Sequence, residues 1–208
     1  MTEDGLHLWT ADSDAVLLKS NTRERSIEKN FGAVFTDNMD ETKVDNSINS
    51  LLKSKYVAKV STMACTQDGS DVFLSDGYGA MKQFSFDKNN KEKFTIKFHE
   101  HASLWEIHKM IITESNQYLF TLDTLGCLRQ FLIKEKRLYY DWSNYYETEE
   151  IGEFILTKDN KYLFTTDKSL APNFLGNGLG NLKQFRIENR ELVRDFGDIT
   201  SCIGMMFS

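Results

Sequence analysis

Cysteines are too few and too irregular to build a disulfide framework or a zinc site. There are three, Cys65, Cys127 and Cys202. Their number is odd and no CxxC spacing occurs, which points to a reducing cytosol and to small buried hydrophobes. Basic residues are also short: the formal charge is -6 and the pI about 5.3. Lys and Arg are scattered among acids, and an acidic surface repels phosphate, so nucleic-acid binding is disfavoured. No apolar run approaches the length of a membrane span,. The opening "MTEDGLHLWTADSD" has no basic or apolar leader pattern, and no Asn-x-Ser/Thr sequon occurs,. Proline occurs once, at Pro172, which reflects genomic bias more than physics. The expected class is a cytoplasmic globular chain without nucleic-acid or membrane partners.

Catalytic signatures are equally scarce. His7, His99, His101 and His108 have no HExxH spacing and no partner cysteine,. No G-x-S-x-G or convincing triad is present. Gly176, Gly178 and Gly180 stand as G-x-G-x-G with a strand expected after them, which does not meet the dinucleotide fingerprint,. The "YYETEE" cluster, Tyr145 to Glu150, reads as a solvated connection. These readings lead to an expectation of no enzyme activity, no cofactor and no metal.

What the chain does have is repetition. "TEDGLHLWTAD" from Thr2, "TQDGSDVFLSD" from Thr66, "TESNQYLFTLD" from Thr113 and "TKDNKYLFTTD" from Thr157 share one plan at a spacing of about 45 residues,. Each has a polar turn, an apolar strand, an Asp, a short turn and a second strand. Apolar flanks such as "IHKMIIT" before and "RLYYDW" after complete a four-stranded meander,. One such sheet cannot bury both faces alone, so stacked neighbours must cover it. The expected fold is all-β: a propeller-like array of about four four-stranded antiparallel blades, as a closed small ring or an open arc. The boundaries are an N-terminal partial blade over 2–36, an insertion over 37–55, blades at about 56–103, 104–150 and 151–198, and a C-terminal first strand over 199–208. That last strand is the piece missing from the partial blade, so the two could meet as a clasp. Within the first insertion Val44, Ile48, Leu51 and Leu52 follow a helical period, which predicts one short helix,.

Asp12, Asp76, Asp123 and Asp167 recur at the turn between the second and third strands. A carboxylate there can accept backbone N–H groups of a tight bend. Gly79, Gly126 and Gly180 follow as suppliers of positive φ,. The expected role is structural. Phe174 and Leu175, in the second insertion "KSLAPNFLGNGLG", form a candidate partner-binding loop,.

The repeats resemble the WD-repeat family of β-propellers. Phe84, Phe131 and Phe185 stand where that family has the Trp of its Trp-Asp pair. Thr10, Thr121 and Thr165 match its Ser/Thr, and Leu74 departs from it. The family's Gly-His pair is absent, with His101 the one loop histidine to match it. Phe has no indole N–H, so the family's hydrogen-bonded tetrad cannot form in the usual way. The resemblance implies a noncatalytic protein-interaction scaffold with protein partners, acting alone, as a homodimer or within a larger assembly. Two rivals stay open: a propeller enzyme of hydrolase or lactonase type with an axial site, and an incomplete segment of a longer repeat protein.

Overall fold

The computed structural model describes residues 2, 5–12, 16–33, 59–86, 92–99, 103, 105–145, 150–167 and 179–200. The first sheet holds β1 (His7–Ala11), β2 (Val16–Asn21) and β3 (Ser26–Ala33). The second holds β4 (Val60–Cys65), β5 (Asp71–Asp76), β6 (Met81–Phe86) and β7 (Glu92–His99). The third holds β8 (Ile107–Ile112), β9 (Tyr118–Asp123), β10 (Leu128–Leu132) and β11 (Arg137–Asp141). The fourth holds β12 (Ile151–Leu156), β13 (Tyr162–Asp167), β14 (Leu179–Arg186) and β15 (Glu191–Thr200). Every pairing is antiparallel between strands consecutive in the chain. A 3-10 turn at Trp142–Tyr145 follows β11.

The central strands are apolar on both faces because both faces are covered. On β5, Val72 and Leu74 pack toward the first sheet, while Phe73 packs toward the third. On β9, Leu119 packs toward the second sheet, and Phe120 and Leu122 toward the fourth. Successive side chains of a strand point to opposite faces, so one strand feeds two interfaces. Three clusters result, one between each pair of successive sheets.

The first sheet has three strands among the described residues. No core cluster of the described residues joins the fourth sheet back to the first, so the four sheets form an open arc rather than a closed ring of four. The short helix, the Phe174–Leu175 loop and the expected clasp strand over 203–208 lie outside the described residues.

The turns repeat as closely as the strands. Thr2, Thr66, Thr113 and Thr157 each donate N–H to the carbonyl five residues on, at 2.9 to 3.0 Å. Each threonine Oγ1 accepts the N–H of that same later residue at 3.0 to 3.1 Å. The residue three places after each Thr takes positive φ: Gly5, Gly69, Asn116 and Asn160. Gly and Asn reach that region at least cost. The bend into the fourth strand likewise puts Arg25, Lys136 and Arg190 at positive φ.

Candidate interaction surface

The second-to-third-strand turns form one rim. Asp76 Oδ1 accepts the N–H groups of Tyr78 and Ala80, both at 2.9 Å. Asp123 Oδ1 accepts those of Leu125 and Cys127, at 3.0 and 2.9 Å. In both, the following glycine donates back to the Asp carbonyl: Gly79 at 3.1 Å and Gly126 at 2.9 Å. Asp12 Oδ1 accepts Val16 N–H at 2.9 Å, and Asp167 Oδ2 accepts Asn181 N–H at 3.2 Å. Gly180 is a residue of β14, so the fourth turn is built differently.

Asp123 also uses its second oxygen. Its Oδ2 accepts Ser103 Oγ–H at 2.6 Å and Arg129 Nη1–H at 3.0 Å. The carboxylate is buried, and four donors, one of them the Arg129 cation, offset the loss of water,. Burial raises the pKa of the neighbouring Cys127 thiol above its ordinary value, and the Asp123 charge adds to that.

Both central turns grip the segment that enters β8 or β12. A methyl group added at Gly79 would lie 2.3 Å from the Trp105 carbonyl oxygen. One added at Gly126 would lie 2.6 Å from Ile151 N. Only glycine fits either approach, quite apart from its positive φ. Trp105 N–H donates to Ser103 Oγ at 3.0 Å, and Thr124 N–H donates to Glu106 O at 2.9 Å. Trp105 is therefore seated between the Asp76 turn and the Asp123 turn. Trp105 is nevertheless 52% exposed, and on the two flanking turns Tyr78 is 62% and Leu125 40% exposed. Three large apolar side chains thus project from a rim whose backbone is fixed by hydrogen bonds.

The inner strands carry little charge. His108 is exposed on β8. Lys109 Nζ pairs with Glu153 on β12 and lies 5.2 Å from the Phe154 ring centroid. Among the described residues no three His, Cys, Asp or Glu side chains gather in a metal-ligating group.

The candidate family positions differ in setting. Phe84, Phe131 and Phe185 are all buried at sheet interfaces. Thr121 and Thr165 are buried, Thr10 is exposed, and Leu74 is buried in the cluster between the first two sheets. His101 lies outside the described residues. Sequence reasoning passed over Ser103 and Trp105. The turn Thr was noticed only as a marker of the repeat, although Thr-x-x-Gly/Asn recurs in all four copies.

No protein-family model matches the sequence, and no curated protein is significantly similar to it. Solved structures share its fold. The β-propeller domain of Cps50 (Swd1) from Myceliophteria thermophila overlays with a TM-score of 0.64 at 11% identity, over 92% of this chain and 57% of that one. Hydrazine synthase from Kuenenia stuttgartiensis overlays with a TM-score of 0.65 at 11% identity, over 96% of this chain and 48% of that one. The chain spans about half the length of the solved proteins it matches. Likeness at this identity defines a fold: the chain is an all-β array of propeller-like repeats.

Proposed function

We propose that the chain is a noncatalytic protein-interaction scaffold built of WD-like repeats, and that its turn rim is the recognition surface. The observation that carries this reading is the row Tyr78, Trp105 and Leu125. Exposed aromatics on a rigid backbone lose little freedom on binding, and Trp and Tyr are the side chains that most often dominate interface energy. The WD-like character is supported by Ser103, whose hydroxyl meets the turn Asp123 in the role that family gives to a histidine. The Lys109–Glu153 pair leaves the inner strands poor in free ligands, which favours recognition over axial chemistry. Action in the cytosol is supported by the odd set of three cysteines with no CxxC spacing,; a fusion found in an oxidising compartment would contradict it.

A photo-crosslinking residue at Tyr78 tests the surface, with the same residue at Asn116 on the opposite turns as control. The expected result is one protein partner captured from Tyr78, lost when Trp105 is changed to Ala, and not captured from Asn116. Equal capture from both sites, or capture indifferent to Trp105→Ala, overturns the reading.

A further inference from the structure

The two end sheets present matching halves of the interface that the interior repeats three times. Strand register makes Leu8–Ser20, Val72–Phe84, Leu119–Phe131 and Leu163–Phe185 equivalent pairs. In the second, third and fourth sheets this pair is buried against the preceding sheet. In the first sheet Leu8 is 39% exposed, beside Ile27 at 63%. Ser20 stands there where the other three sheets carry Phe. The result is a depression of about 390 Å³ lined by Leu8, Ser20, Arg25 and Ile27 among others.

In the first, third and fourth sheets the opposite face carries an aromatic pair. In the first sheet it is Trp9 with Phe31, and Phe31 meets Phe86 of the second sheet at 4.8 Å between centroids. In the third it is Phe120 with Trp142, and Trp142 meets Phe185 of the fourth sheet at 5.6 Å. In the fourth it is Phe164 with Phe196, 6.5 Å apart. No described sheet follows, and Phe196 is 39% exposed. So one end of the arc offers an aromatic knob, and the other offers a hole at the position that receives such knobs elsewhere. The hole's face is also free of charge along β1 and β2: Leu8, Thr10, Val16, Leu18 and Ser20 occupy its alternate positions. The solvated face of an antiparallel sheet is usually polar, whereas Leu8, Val16 and Leu18 are apolar,.

We propose that the fourth sheet of one chain docks on the first sheet of a second copy, and reciprocally, to close a two-chain ring of eight sheets. A head-to-tail contact forms a ring only if its rotation closes. An arc that overlays on 57% of one propeller chain is near half a turn, so two arcs suffice. Eight sheets also lie within the usual range of about four to eight blades, which three copies would exceed.

Sedimentation analysis of the full chain gives the first reading. The expected mass at micromolar concentration is twice the chain's 24.1 kDa. A monomer that persists at roughly 100 μM, or a ladder of larger species, overturns the closed ring, since an interface of this kind holds at about micromolar or better. Contact is then read by disulfide formation between Ser20→Cys and Phe196→Cys chains, both lacking the native thiols. The expected main product joins the two different chains. Ser20→Cys self-pairs as the main product, or a bond within one monomer of the double variant, overturn the head-to-tail arrangement. Ile27→Lys alters an exposed position, so its circular dichroism should be unchanged while association weakens at least about a hundredfold. An unchanged dimer in Ile27→Lys overturns the proposal. Leu8→Glu replaces it if that variant misfolds.

Discussion

Phe120 and Phe164 hold the same place in the repeat, yet the middle and the end of the array treat it differently. Phe120 is fully buried between the third and fourth sheets. Phe164 is half-buried and lies against Phe196, an exposed residue of its own sheet. Asp123 and Asp12 make the same contrast. The first is buried with four donors. The second is exposed, and its carboxylate takes Val16 N–H across the turn. Sequence pattern sets the local structure in every copy, but a neighbour on each side turns the same residue from surface into core.

The largest effect should come from truncating the aromatic residues. Phe120→Ala removes a fully buried ring from the interface between the third and fourth sheets, at a cost of about 3 to 5 kcal/mol. Phe196→Ala, at the exposed end, should cost less than about 1 kcal/mol in monomeric protein. Urea unfolding of both variants checks the contrast, and equal costs would break it.

A smaller difference is expected at the turns. Asp123→Asn keeps the shape but discharges a buried acceptor of Ser103 and Arg129, so a loss of about 1.5 to 3 kcal/mol is expected. Asp12→Asn should cost less than about 1 kcal/mol, because water competes for an exposed turn. Thermal unfolding of the two variants at neutral pH would show it, with the larger midpoint drop in Asp123→Asn.

The smallest effect is a pH dependence confined to the middle. Burial and Asp123 raise the Cys127 pKa in the folded chain. A thiol is neutral when protonated, so folding favours the protonated form. That contribution is fully present below the ordinary thiol pKa of about 8.5 and is lost as pH rises through and beyond it. With the two profiles aligned at pH 7, the alkaline fall in stability should therefore be shallower in Cys127→Ala than in the parent chain,. Identical alkaline profiles would remove Cys127 as a cause.

The all-β class and the propeller-like stacking were legible because repetition survives even where individual motifs drift. "YLFTLD" and "YLFTTD" carry the alternation that buries Leu119 and Leu163 on one side and directs Phe120 and Phe164 to the other. The choice between a closed ring and an open arc was not legible, because ring closure depends on curvature between sheets, which no short motif encodes. Ser103 and Trp105 were hidden for a related reason. Ser103 acquires its role from Asp123, a residue of the following hairpin. Trp105 has a sequence signature of an ordinary core aromatic, and only the seating of its backbone between two turns brings the ring out to solvent. The Thr-x-x-Gly/Asn turn was within reach, since its spacing is constant in all four copies.

Because the described strands pair only with their neighbours in sequence, the array behaves as a one-dimensional chain of coupled units. A sheet in the middle can open only by breaking two interfaces at once, whereas a sheet at either end breaks one. Unfolding of a lone arc therefore starts as fraying, with hydrogen exchange fastest at the ends and slowest at β9 and β10. Closure would abolish the ends themselves. Every unit would then carry the same double penalty for leaving, and a gradual melt would sharpen into a single cooperative transition.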